Sequence, residues 1–136
     1  MRILWISFGW IYADDRIMTT KLRSLGWSAF FDEQLNRFLN AYGQDAERLT
    51  PYRITEIHRS RMNGLGASGA VTLSSPRIGA WELAVGDWIL SDPEMRIMHR
   101  FERQSLLQRR GAGTDVHAQL IAANVDVLFI VTSCND

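Results

Sequence analysis

Arginine supplies the side chains of this sequence that are best suited to binding a ligand. All nine basic residues between positions 50 and 113 are arginines, and Lys21 is the only lysine in the chain. A guanidinium presents a planar fork of donors that fits phosphate oxygens, and its flat face stacks on bases. Nine basic and six acidic residues give this segment a net charge of +3. Such a segment is typical of a phosphate-binding surface, although a solvated arginine face fits the charge count equally well.

Three stretches of the chain bring cationic side chains together. The first ends a strand predicted at Tyr52–Ile57, the second runs along a strand predicted at Met95–Phe101, and the third opens a basic, glycine-containing linker at Arg109–Thr114. Cations on the strands and loops of a small barrel are placed to follow a phosphate backbone. The cationic residues are His58, Arg59 and Arg61 in the first stretch, Arg96, His99, Arg100 and Arg103 in the second, and Arg109 and Arg110 in the third.

Aromatic residues in the same part of the chain could stack on bases. Tyr52, Trp81 and Trp88 are the candidates. Trp88 is followed by Ile89 and Leu90, and this apolar context is more typical of a core position. Stacking by Trp88 is therefore the weaker of its two interpretations.

The sequence lacks the patterns of a catalytic or metal site. A P-loop requires G-x-x-x-x-G-K-[ST], and no such glycines precede Lys21, so we expect this chain neither to bind nor to hydrolyse GTP. The single cysteine, Cys134, excludes an internal disulfide and a cysteine-rich zinc site. Three histidines have neither a helical i, i+4 partner nor a nearby cysteine: His58, His99 and His117.

Residues 27–42 carry the spacing of an amphipathic helix. Apolar residues recur every three or four positions, Ser28 is the predicted N-cap and Gly43 the residue that ends the helix. The aromatic face of this helix is expected to pack on the next domain.

From Tyr52 onward the apolar period is two, which predicts short strands. Turn residues recur about every 8–12 positions, and five such strands are typical of a small closed barrel, most often an OB-fold. Gly64, Gly66 and Gly69 are interpreted as a turn region. The five predicted strands cover Tyr52–Ile57 with a bulge, Val71–Leu73, Trp88–Leu90, Met95–Phe101 and Gln104–Arg109.

The run Val125–Val131 is almost entirely apolar. A continuous apolar run predicts a strand covered on both faces, as in a parallel sheet flanked by helices, and such a strand needs a partner further along the chain. The expected domains are therefore an N-terminal extension and helix at 1–49, an OB-fold domain at 50–110, and a linker with the first strand of a further domain at 111–136. Without such partners, this strand is expected to stay mobile in solvent, to pack on the aromatic face of the helix or to pair with a second copy, and packing on the helix is favoured.

Three motifs resemble the ribosome small-subunit-dependent GTPase A family (RsgA, also YjeQ or EngC). They are VGDW at Val85–Trp88, RQSLLQRRGAG at Arg103–Gly113 and QLIAANVDVLFIVTS at Gln119–Ser133. The resemblance spans roughly residues 50–136 in the order found in the family.

The resemblance implies an N-terminal OB domain, a circularly permuted GTPase domain whose first strand is the apolar run, and a C-terminal zinc domain. It implies that the whole protein hydrolyses GTP, with GTP, Mg and Zn held by residues beyond Asp136 and no cofactor in this chain. The implied partners are the small ribosomal subunit and its rRNA, and no membrane. The implied location is the cytoplasm. The residues to which RNA contact carries over are His58, Arg59, Arg61, Arg103, Arg109 and Arg110.

A second interpretation makes the barrel a protein-interaction module. It would then dock on its own GTPase domain or on a ribosomal protein, and the arginines would be solvated. An enzymatic role for the chain by itself is the weakest of the three interpretations.

Overall fold

The computed structural model describes residues 19–59, 61–74, 83–110 and 118–133. Residues 19–24 are helical. They are followed by the helix α1 (Ala29–Tyr42) and a 3-10 turn (Gly43–Ala46). The strands are β1 (Thr50–Ile57), β2 (Arg61–Gly66), β3 (Gly69–Ser74), β4 (Trp88–Ser91), β5 (Ile97–Arg100), β6 (Leu106–Arg110) and β7 (Ala118–Ala123).

Five of these strands form one antiparallel sheet in the order β3-β2-β1-β4-β5. The prediction of a mainly β protein with a five-stranded sheet and an N-terminal helix is confirmed. The predicted bulge in β1 is present, since the register with β2 shifts between Ile54 and Glu56. A single parallel bridge, Ser74 with Arg96, joins the ends of the two outer strands. Closure into a complete OB barrel stays a prediction.

The glycines at 64 and 66 lie in a strand, so their assignment to a turn was wrong. Both belong to β2, and the turn into β3 comes after them. A Cβ on Gly66 would lie 2.6 Å from the ring of Tyr52 on the neighbouring strand. Glycine is therefore used here because an aromatic ring crosses the strand, which is a recognised reason for glycine within a sheet.

Strand β4 carries the core on both faces of the sheet. Its four residues are all buried, and successive side chains of a strand point to opposite faces. Ile89 belongs to a cluster with Tyr52 and Ile54 on one face. Trp88 and Leu90 belong to a second cluster, formed with the N-terminal segment.

The buried part of the aromatic face of α1 packs on this sheet, which confirms the predicted packing on the next domain. Phe31 is buried, its ring lies 6.0 Å from that of Trp88, and Trp27 meets Trp88 edge-on at 4.9 Å. Helix α1 begins after Ser28 as predicted, but the Ser28 side chain makes no cap hydrogen bond. Burial of aromatic rings therefore fixes this helix more strongly than its cap does.

Strand β6 belongs to a separate hairpin with β7. The fifth strand predicted at Gln104–Arg109 is thus real but lies outside the five-stranded sheet, whose additional member is β2. The hairpin crosses the predicted domain boundary at residue 110, and residues 111–117 of the predicted linker lie outside the described residues.

The predicted terminal strand is not formed. Residues 127–133 have no regular secondary structure, and the side chains from Val127 to Val131 are 58–92% exposed. They do not cover α1, whose Phe31 is already buried against the sheet.

Candidate nucleic-acid interface

The turn between β1 and β2 presents the first group of predicted contacts. The backbone N–H of His58 donates to the carbonyl of Arg61 at 2.9 Å and closes the turn directly after the Ile57–Met62 pair. Residues His58, Arg59 and Arg61 are all exposed. A tight turn therefore holds an imidazole and two guanidinium groups at one end of the sheet.

Glu56 offsets part of this positive charge. Its Oε2 atom accepts a 2.7 Å hydrogen bond from Asn63 Nδ2 and lies 3.3 Å from His58 Nε2. The Asn63 hydrogen bond, followed by the His58 interactions, holds the pKa of Glu56 below its ordinary value. The carboxylate is therefore ionised at neutral pH, and the turn carries two arginines against one acid.

The β6–β7 hairpin presents the second group. Arg109 and Arg110 end β6 and are exposed. The Nε atom of Arg109 donates to Gln119 Oε1 on β7 at 2.8 Å, which holds its side chain across the hairpin. Arg109 is nevertheless exposed, and a guanidinium with one N–H engaged keeps further donors for a phosphate.

Arg103 differs from the other predicted contacts because it is held inside the protein. Its Nε and Nη2 atoms donate to the two carboxylate oxygens of Asp87, each at 2.7 Å. The Arg103 side chain is 14% exposed and that of Asp87 is 0% exposed. The hydrogen bonds to Asp87 raise the pKa of Arg103. The structure thus gives Arg103 an internal partner, and its predicted contact with RNA has no support from its position.

Asn124 completes a junction that sequence reasoning missed. Its side-chain Nδ2 donates to the Gly86 carbonyl at 2.9 Å, and its Oδ1 accepts from the backbone N–H of Gln104 at 2.8 Å. The Asn124 carbonyl accepts from Arg53 Nη2 at 2.8 Å. Asn124 also has φ +54°, a conformation that asparagine tolerates better than most residues.

These contacts bring together the three motifs on which the family resemblance was based. Gly86 and Asp87 belong to VGDW, Arg103 opens RQSLLQRRGAG, and Asn124 lies in QLIAANVDVLFIVTS. Their residues are 16 to 38 positions apart, so no helical or strand period connects them. The motifs therefore specify how the hairpin is attached to the sheet.

Two of the three aromatic residues proposed for stacking are not available on the surface. Tyr52 and Trp88 are buried in the two core clusters, and Trp81 lies outside the described residues. The interpretation of Trp88 as a core residue is confirmed. Tyr42, at the end of α1, is an exposed aromatic residue.

The described parts of the chain contain neither a metal-binding cluster nor a membrane-spanning helix. No group of three or more His, Cys, Asp and Glu side chains there is arranged to hold a metal ion. No helix within the same ranges has the length and apolar character needed to cross a membrane.

Comparison with known proteins gave relatives that share one name. The chain is 45% identical over 116 residues to the small ribosomal subunit biogenesis GTPase RsgA of Mesorhizobium japonicum, covering 84% of the chain and 31% of that protein. It is 39% identical over 115 residues to RsgA 2 of Vibrio vulnificus, covering 85% and 31%. It is 34% identical over 125 residues to RsgA 2 of Vibrio parahaemolyticus, covering 91% and 33%.

The chain therefore spans about a third of the length of these relatives. An alignment over 84% of the chain reaches well before residue 50, so the similarity includes α1 as well as the sheet. No protein-family model matches the chain, and no solved structure matches it significantly.

Proposed function

Since this chain is homologous, over most of its length, to the small ribosomal subunit biogenesis GTPases RsgA, we propose that it is the part of such a protein that binds rRNA of the small subunit. The sequence has no P-loop, so GTP binding and hydrolysis would belong to other parts of the protein. In this proposal GTP, Mg and Zn are cofactors of the whole protein, and the cytoplasm is its location.

The observation that carries the proposal is the placement of arginines at the ends of two hairpins. Arg59 and Arg61 lie at the β1–β2 turn, and Arg109 and Arg110 lie at the far end of β6. A hairpin end reaches into a groove more easily than the face of a sheet does, and arginine binds phosphate with two donors. His58 is a further donor at the first of these sites.

The test is a salt titration of binding to small-subunit rRNA. We expect the Arg59→Ala, Arg61→Ala double variant to bind more weakly and to show a shallower dependence on salt. Each lost phosphate contact should reduce the log–log slope by about 0.7–0.9. Fluorescence anisotropy at several salt concentrations measures both quantities.

Arg37 and Arg48 provide the matched control. Both are exposed, and both lie outside the two hairpins, in α1 and in the segment before β1. Their replacement by alanine removes the same net charge. An equal loss of affinity in this control would show that the effect is general charge, and an unchanged slope in the Arg59, Arg61 variant would contradict the proposed contact.

The exposed apolar segment favours a second candidate, a protein-interaction module. The side chains from Val127 to Val131 form a contiguous apolar stretch, and such stretches mark contact with other proteins. Binding to small-subunit ribosomal proteins free of rRNA, with little effect of salt, would support this candidate over RNA binding.

A further inference from the structure

The β6–β7 hairpin is bonded to the rest of the protein at one end, its base, and is exposed at the other. At the base, Ala123 is buried, its N–H donates to the Val85 carbonyl at 2.8 Å, and Ala122 forms a parallel bridge with Val85. At the other end, Arg110 pairs with Ala118, and both residues are exposed. The orientation of Arg109 and Arg110 therefore depends on how firmly the base is held.

Two side chains hold the base of the hairpin by binding the turn that contains Gly86 and Asp87. Before β6, Arg103 binds both carboxylate oxygens of Asp87. After β7, Asn124 binds the carbonyl of Gly86 and the N–H of Gln104. We call these four residues, Gly86, Asp87, Arg103 and Asn124, the clamp. The clamp bonds the segment before β6 and the segment after β7 to the same turn, at the Asp87 side chain and the Gly86 carbonyl.

Other contacts at this place reinforce the clamp. The Asp87 carboxylate also accepts from the Ala84 N–H at 2.8 Å, so the turn that receives Arg103 is itself fixed. Ser105 Oγ accepts from the Val125 N–H at 2.8 Å, which links the segment before β6 to the segment after β7. Buried, charge-assisted pairs of this kind lose far more when one partner is removed than exposed pairs do.

We infer that Arg103 and Asn124 are positioning residues, which act on RNA binding by fixing the hairpin that carries Arg109 and Arg110. This inference rests on the proposed function. A hairpin fixed before binding loses less conformational entropy when it meets a phosphate backbone, so the clamp increases affinity without touching RNA. The opposing interpretation is that Arg103 itself contacts a phosphate.

Asn124→Gly and Arg103→Lys distinguish the two interpretations. Glycine tolerates the φ of +54° at position 124, so Asn124→Gly removes the side-chain hydrogen bonds with little backbone strain. Lysine keeps the charge of Arg103 but loses the two-donor fit to Asp87. If Arg103 contacted a phosphate, Arg103→Lys would keep most of the affinity and Asn124→Gly would have no effect.

The experiment measures rRNA affinity and amide hydrogen exchange for each variant, with thermal unfolding to show that it is folded. The clamp predicts that exchange in β6 and β7 accelerates about tenfold or more in both variants, because charged and buried hydrogen bonds are lost. It predicts an affinity loss of about three- to tenfold for each. In an Arg109→Ala, Arg110→Ala background, the same two substitutions should cause no further loss of affinity.

The outcomes separate the failure of the inference from that of the proposed function. RNA binding by the unmodified chain together with unchanged affinity in Asn124→Gly overturns the clamp and leaves the proposed function standing. A loss that persists undiminished in the Arg109→Ala, Arg110→Ala background also overturns it. No binding of rRNA by the unmodified chain overturns the proposed function itself, and the positioning role with it.

Discussion

At the scale of single residues, the site is determined by close approaches that a sequence pattern does not display. Gly86 shows this most clearly. A Cβ at this position would lie 2.1 Å from the carbonyl oxygen of Ala123, and the backbone has φ +93°. VGDW therefore contains glycine because β7 ends against it, and its Asp87 is buried because Arg103 binds it. Composition revealed a surplus of arginine, but only the structure shows which arginine is held internally.

Gly86→Ala should destabilise the protein by about 2–4 kcal/mol, because it combines a disfavoured φ with a collision against backbone. Gly69→Ala is the matched control. Gly69 has φ +113° and nothing within 4 Å of the added Cβ, so its cost should be limited to about 1–2 kcal/mol of backbone strain. Urea unfolding of both variants measures the difference. Equal costs would show that the hairpin base moves away without penalty.

His99 should make stability depend on pH. It lies 4.6 Å from the ring of Phe38 and 5.5 Å from that of Phe101. Burial, and then the charge of Arg100, lowers the pKa of His99. The unfolded chain therefore binds a proton more readily than the folded protein, and stability falls as the pH drops below about 6.5.

As the pH drops from about 7.5 to about 5.5, we expect the free energy of unfolding to fall less for His99→Phe than for the unmodified chain. The carboxylates of Glu56 and Asp92, whose pKa values are lowered, act at more acidic pH and do not interfere in this range. Thermal unfolding across the range measures the difference. Parallel pH profiles for the two proteins would contradict this assignment.

At the scale of elements, two apolar stretches of the chain have different structures. Trp88–Leu90, predicted as a short strand after a turn, lies in β4 and is covered on both faces. Val125–Val131 is also almost entirely apolar, yet no described segment pairs with it beyond Val125. A strand needs a hydrogen-bonded neighbour, and a local pattern cannot show whether that neighbour is present. Likewise, β2 was not predicted, because its two glycines are typical of a turn. Only the structure shows that the ring of Tyr52 lies against the strand at Gly66.

The helix α1 should contribute to stability through one of two adjacent phenylalanines. Phe31 is fully buried against Trp88 and Phe101, whereas Phe30 lies partly exposed at the edge of the same cluster. Phe31→Ala should cost about 3–5 kcal/mol, and Phe30→Ala about 1–2 kcal/mol. Chemical unfolding of the two variants provides the comparison. Similar costs would show that α1 does not depend on its contact with the sheet.

At the scale of the whole molecule, the sheet, the helix and the hairpin meet around Arg53. This arginine, in β1, donates to the Leu25 carbonyl ahead of α1 and to the Asn124 carbonyl after β7. The N-terminal segment and the exit of the hairpin are thus bonded to the same side chain of the central strand. No sequence pattern indicates this junction, because Leu25 and Asn124 lie 28 and 71 positions from Arg53 along the chain. The apolar period and the arginine count did indicate a mainly β unit carrying arginine, because these features depend on local sequence alone.

The exposed apolar segment at Val127–Val131 should cause the chain to self-associate. Its side chains are 58–92% exposed, and apolar, unpaired backbone of this kind pairs readily with a second copy. We expect the mass measured by light scattering to rise with protein concentration. Sulfate should strengthen this association, because it favours burial of apolar surface, whereas salt weakens binding of phosphate by arginine.

Replacing Phe129 and Ile130 by serine should shift the chain toward the monomer at the same concentration. The control replaces Tyr42 and Met98 by serine, which removes two exposed apolar side chains from α1 and β5. Because the hydrophobic contribution scales with contiguous buried area, scattered residues should matter little. An equal shift in the control would assign the association to general surface hydrophobicity. A monomeric unmodified chain at every concentration would show that the segment stays solvated, in which case its apolar character serves contacts other than those with a second copy.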